Sequence, residues 1–285
     1  MKKRIFLLLC AMCVSVFCLT SCGKNKVAEN NAYTVDELKE IQISIDTWNL
    51  NIKASSDEKA HISFDGNISD GDVKPTVLLQ DGILVIVQKH DEEMQDQIAL
   101  GKKGQATLYL PIHCTIPIVV NNGIGDIETD GISATELQVL NNAGYMTISN
   151  LSAENLKISS ASGDIAVKNS DINSVSIVTT SGYVQLSNTT FSGSEIVTKS
   201  GEINMSGISS DTNINLQTDS GDINLTYQAA PDNLSFSVSS GSDDVTARFN
   251  GAAYDKETTS CKEGKIGEGQ NKLEIKSDNG TVVVK

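Results

Sequence analysis

The chain has 285 residues, with 22 basic and 36 acidic side chains, a formal net charge of −14 and only 5% aromatic residues. An acidic surface of this kind repels phosphate backbones, which excludes nucleic acid as a partner, and it opposes edge-to-edge association of exposed strands.

The first residues, Met1-Lys2-Lys3-Arg4, are followed by an apolar run from Ile5 to Leu19 and then by Leu19-Thr20-Ser21-Cys22-Gly23. A short basic segment ahead of an apolar stretch of this size reads as a secretory signal over 1–21 and is too short for a spanning helix. The residues ending at Cys22 resemble the bacterial lipobox, a cleavage site closed by an obligatory cysteine. That resemblance implies that Cys22 becomes the mature N-terminus and carries the lipid, placing the chain on the outer side of a bacterial cell membrane. Several acyl chains make such an anchor stable. Residues 22–31 then form the lipidated cysteine and a polar tether. Loss of 1–21 removes three of the 22 basic residues and no acid, leaving 19 against 36 and a net charge of −17.

Residues 32–122 are β-rich but irregular. Ile41 to Ile45 alternates cleanly, Leu50 to Ile52 and His61 to Phe64 read as short strands, and Gly82 to Val87 reads as a buried one. Lys89 to Lys103 is charged and polar and is expected to be an exposed excursion. Ala106 to Pro111 and Ile116 to Val120 lead into the next segment.

From residue 123 to 241 a glycine recurs at Gly125, Gly144, Gly163, Gly182, Gly201, Gly221 and Gly241, in steps of 19 and finally 20 residues. A period in this range marks stacked coils, because a single repeat cannot close a core. Apolar pairs two residues apart keep the same interval, as in Met146/Ile148, Ile165/Val167 and Val184/Leu186, with Thr129 as a polar member beside Ile127. Residues so spaced share one face of a strand. A second inward pair follows a corner in each repeat: Leu137/Val139, Leu156/Ile158, Val175/Ile177, Ser194/Ile196, Ile214/Leu216 and Leu234/Phe236. Serines before the glycines, such as Ser162, Ser181 and Ser200, suit the turn. The prediction is a single-domain, all-β solenoid of 19–20 residues per coil, with 242–285 as terminal coils or cap.

Several segments carry a more specific likeness: "LYLP" at Leu108 to Pro111, "GIGDI" at Gly123 to Ile127, the repeated "SGDI" and "SGEI" turns, and Leu273 to Val283 at the close. On these the chain resembles the DUF4097 family of adhesin-type bacterial envelope proteins, from about Ile41 to the end. The resemblance implies a β-helix-like solenoid whose irregular N-terminal strands form or cap the first coils. These motifs are structural and specify no chemistry.

Residues directly after the first glycines form a stripe: Asp126, Tyr145, Asp164, Tyr183, Glu202 and Asp222. Stacked carboxylates about 4.8 Å apart repel, and interposed tyrosines roughly double that spacing, leaving Glu202 and Asp222 as the direct neighbours. Such a stripe is either a cation or glycan surface or turn chemistry with charge relief, and the second reading is favoured. Asp126 to Gly131 opens like a calcium loop, but position 12 of that loop falls on Leu137, where the bidentate Glu is needed. Ser56-Asp57-Glu58-Lys59 has the spacing of a serine/lysine nucleophile but lies in a polar turn. Cys114 and Cys261 remain after export and either pair or stay free. His113, next to Cys114, is expected to point to the opposite face of a strand.

An enzyme on a β-helix needs a converging acid/base set. Here His61, His90 and His113 all precede the repeats, and Arg248, the mature arginine, follows them. The expectation is a non-catalytic module without a cofactor, anchored to the membrane through lipid and meeting a protein or glycan of the envelope or surface. An accessory of envelope-stress signalling acting on a membrane protein and a carbohydrate-active enzyme are the alternatives.

Overall fold

The computed structural model describes residues 26–67, 74–89 and 104–285. Cys22, the signal segment, His90 and most of the excursion lie outside these residues. Apart from one short 3-10 turn at Val35–Glu37, the regular elements are strands. They form a 12-stranded and a 13-stranded sheet that enclose one apolar core.

Each regular coil contributes one strand to each sheet. Ser133–Asn141 lies in the larger sheet; the chain turns at Gly144, Met146–Ser149 joins the smaller sheet, and a corner at Asn150 returns the chain to Ser152–Ser160. Adjacent coils are parallel and in register, with Met146 beside Ile165, Ile165 beside Val184 and Val139 beside Ile158. All the inward pairs expected from the sequence are buried, including Thr129 and Ser194.

Glycine is required at the turn by close approach. A Cβ on Gly163 would collide with the carbonyl of Gly144, and one on Gly182 with that of Gly163; both positions also have φ near +100° or above. The opposite corner is a second column, in which Gly131, Asn150, Asn169, Asn188 and Gly207 all have φ between 49° and 70°. Glycine and asparagine tolerate this left-handed conformation, which suits them to the column.

Sequence order and spatial order part at both ends. The sequence predicts that the coil starting at Gly221 is followed by the one containing Gly241. Instead Asn271–Asn279 and Val282–Val284 lie between them: Leu216 pairs with Ile275, while Leu273 pairs with Phe236. Gly280, not Gly241, packs on the carbonyl of Gly221, and Gly241 meets the backbone of Asp278. The closing segment is therefore an interior coil. A hairpin of Ala253–Glu257 and Cys261–Ile266 lies outside it, pairing with Leu234–Ser240.

The beginning of the chain repeats the device. Glu40–Ile45 pairs both with Ile118–Asn122 and with Ile83–Gln88, and Asn49–Ser55 sits between Ile127–Asp130 and Gln105–Pro111. Trp48 fills this end, fully buried, edge-on to Phe64 at 6.3 Å and with Gly104 pressed against its ring. The tether expected over 23–31 is a strand from Lys26 to Thr34, antiparallel to Lys59–Asn67. Backbone pairing along a sheet edge does not need an apolar sequence, so composition gave no sign of it.

Candidate functional site

Each residue of the stripe follows a turn glycine and leads into a strand of the smaller sheet. Its position beside the next coil gives the side chain a neighbour in the backbone. Asp126 Oδ1 accepts the N–H of Tyr145 at 2.9 Å, and Asp164 Oδ1 accepts that of Tyr183 at 2.9 Å. Asn49 extends the column downward by accepting the Asp126 N–H at 3.0 Å, and Asp222 extends it upward by accepting from Thr281 at 2.7 Å. The alternation thus has a second cause besides charge spacing: one short acceptor serves the residue above it. Glu202 and Asp222 are adjacent, but their carboxylates diverge. Glu202 accepts from Asn224 Nδ2 at 3.3 Å, whereas Asp222 turns to Thr281.

Tyr145 is exposed and Tyr183 half-buried. Burial, then the charges of Glu202 and Asp164, pushes the Tyr183 phenol above its ordinary value. Asp126 to Gly131 runs through a strand and ends at a left-handed corner, so it forms no calcium loop. Among the described residues no group of three His, Cys, Asp or Glu side chains is placed to hold a metal ion.

A polar column missed by sequence reasoning runs inside the turn. Asn122, Asn141, Ser160, Thr179, Thr198 and Thr218 are buried at the end of the larger sheet's strands, and Ser277 and Ser240 continue them. Most cap the turn: Asn122 donates to Gly125 O, Asn141 to Gly144 O at 3.3 Å, Ser160 to Ser162 O at 3.0 Å and Thr179 to Ser181 O at 2.9 Å. Asn122 and Asn141 also join each other at 2.7 Å. The signal was available as small polar residues at the glycine period. At the N-terminal end Gln88, fully buried, does the same work by accepting from the backbone of Asp46 and Thr47 at 3.1 and 3.0 Å. Tyr227 is the contrary case, since its buried hydroxyl has no partner and burial pushes its pKa far up.

Beside this column the larger sheet carries an open groove of about 530 Å³ lined by Ser44, Asp46, Asn121, Leu140, Asn142 and Ser159 among others. A second, of about 490 Å³, follows the strand bend near Glu154, Asn173 and Ser192. The first presents small hydroxyls, amides and a carboxylate, and the second adds Ile172 and Phe191 to such groups.

The remaining candidates are separate from the stripe. His61 Nε2 lies 2.8 Å from Asp57, which also accepts from Ser55 Oγ and the Lys59 N–H. The hydrogen bonds from Ser55 and His61 hold the Asp57 carboxyl at about 2. His113 meets Glu58 at 2.9 Å. Residues 56–58 form a turn between strands, and Lys59 opens the second strand. Cys114 and Cys261 are both free and buried. They occupy opposite ends of the stack, Cys114 after Gln105–Pro111 and Cys261 in the terminal hairpin, far beyond disulfide reach. Burial raises both thiols, which makes them poor nucleophiles.

The family model described as Toastrack DUF4097 matches residues 38–285. Among solved structures, a putative adhesin from Bacteroides fragilis is similar over 92% of this chain and 99% of its own, at 16% identity and a TM-score of 0.56. A putative adhesin from Parabacteroides merdae covers 90% and 96% at 12% identity and a TM-score of 0.43. A protein from Parabacteroides distasonis, described as a putative lipid binding protein, covers 92% and 98% at 14% identity and a TM-score of 0.44. The search of curated proteins returns no match.

Proposed function

This chain belongs to the Toastrack DUF4097 family, and from that premise we propose that it is a membrane-anchored, extracytoplasmic, non-catalytic interaction module. The observation that carries the reading is the use of the stripe carboxylates. Asp126, Asp164 and Asp222 are each committed to a backbone N–H of the adjacent coil, so these acids hold the stack together instead of converging on a cleft. The open grooves of the larger sheet are then the surfaces offered to a protein or glycan of the envelope. The N-terminal segment ending at Cys22 supports attachment through lipid.

The test has two readouts. Cells expressing the wild-type chain should incorporate a fatty-acid probe that Cys22→Ala cells do not. Immobilised mature chain, presented with envelope glycans and surface proteins, should retain a partner without altering it. Equal labelling of both forms would overturn the anchor, and release of cleaved glycan would overturn the non-catalytic reading.

A further inference from the structure

Two sheets have four edges, and their protection differs. Ala253–Glu257 carries Asp255, Lys256 and Glu257 and is interrupted by a bulge between Tyr254 and Lys256. Val245–Ala247 has only three residues. Lys26–Thr34 closes the smaller sheet at its other end. Charges, bulges and shortness are the devices that keep edges from recruiting further strands. The fourth edge, Thr76–Gln80 of sequence TVLLQ, is the last strand of the larger sheet among the described residues and has no charge, bulge or internal proline. Leu78 at its centre is 57% exposed. The acidity of the whole surface, which opposes edge association, is missing at this strand.

The strand's geometry fixes what fits. It is joined to Ile83–Gln88 by the two-residue turn Asp81-Gly82, both residues with positive φ. In such a hairpin the pair flanking the turn, Gln80 and Ile83, is the hydrogen-bonded one, and bonded pairs alternate from there. Thr76, Leu78 and Gln80 therefore turn their backbone groups to the neighbouring strand. Val77 and Leu79 turn theirs away from it, to an edge that no described strand covers.

We propose that this edge pairs with the same strand of a second copy of the chain, antiparallel about a two-fold axis through Leu78. In that register each Val77 meets Leu79 of the second copy in a bonded pair that exchanges both N–H···O bonds, which satisfies the outward groups. Leu78 meets Leu78 of the second copy in the closer, non-bonded position, and Thr76 meets Gln80. The outer face gains an apolar pair flanked by polar ones. The inner face continues the packing of Val77 and Leu79 against the core. A C2 contact needs a self-complementary patch, and TVLLQ read against itself is one. An interface of one short strand is below the size of stable complexes, so the dimer is weak and concentration-dependent.

The experiment uses the mature chain with Cys22→Ala, so that no lipid contributes, and follows sedimentation equilibrium and amide exchange from micromolar to millimolar concentration. The expected result is a monomer–dimer equilibrium in which exchange at the Val77 and Leu79 amides slows by tenfold or more as dimer forms. Leu78→Lys should weaken association at least tenfold while leaving the melting temperature unchanged, because the side chain is exposed and like charges would face each other. Three results would overturn the proposal: a monomer at every concentration, a dimer indifferent to Leu78→Lys, or slow exchange at both amides already present in the dilute monomer, which would mean that the chain covers its own edge.

Discussion

Asn122 Nδ2 donates to Asn141 Oδ1 at 2.7 Å, joining residues 19 positions apart on neighbouring coils. Asn141 passes the bond on to Ser160 Oγ at 3.2 Å, so each amide serves its own turn and the coil beyond. The turn carbonyls would otherwise be buried without donors, which costs more than a hydrogen bond gains. Asn141→Leu should therefore destabilise the protein by about 1–3 kcal/mol. Asn142→Leu, one residue along and exposed, should stay within about 0.5 kcal/mol. Denaturant unfolding of the two variants checks the ladder; equal midpoints would remove its energetic role.

The inserted C-terminal coil makes a different prediction. Val282 and Val284 are buried between Ile223/Leu225 on one side and Val245/Ala247 on the other. Deleting residues 281–285 exposes the apolar faces of the two flanking strands, and each buried valine lost is worth roughly 1.5–3 kcal/mol. In a solenoid capped in sequence order such a deletion would only fray one end. Here the melting temperature should fall by on the order of 10 °C, and calorimetry showing no change would contradict the interior placement.

Asp57 provides a prediction in pH. Its folded-state pKa of about 2 lies below the usual 3.8, held down by Ser55, His61 and the Lys59 N–H. A depressed carboxyl contributes stability that is present above pH 3.8 and lost as pH falls towards 2. Because the group is exposed, the effect should be small and confined to that window. In an NMR titration Ser55→Ala should move the Asp57 midpoint upward, and an unchanged midpoint would show that the Ser55 hydrogen bond is not a cause.

The body of the fold was legible because one constraint repeats. Any residue at the turn must be glycine, and Ile165 must match Met146 and Val184 above and below it, so the period is written directly in the chain. The polar column and the left-handed asparagines obey the same period. They escaped attention because buried Asn, Ser and Thr look like surface residues until the turn carbonyls they serve are placed. The interleaving at both ends was illegible for another reason. On sequence Phe236 could follow Ile214 directly, and Leu273 comes to lie between them because the chain folds back through the terminal hairpin. At the stripe the sequence supplied the charges and their spacing but not the backbone N–H groups that donate to them.

Those N–H groups decide whether the acids are structural or ligand-binding. Calorimetry of the mature chain and of Asp164→Asn, each in calcium and in chelator, tests this most directly. Asparagine keeps the Oδ1 acceptor for Tyr183 and removes the charge, so both proteins should melt together and calcium should shift neither. A calcium-dependent rise in the wild type that disappears in Asp164→Asn would show the stripe to be a cation site and contradict the assignment of its carboxylates to the coil-to-coil backbone.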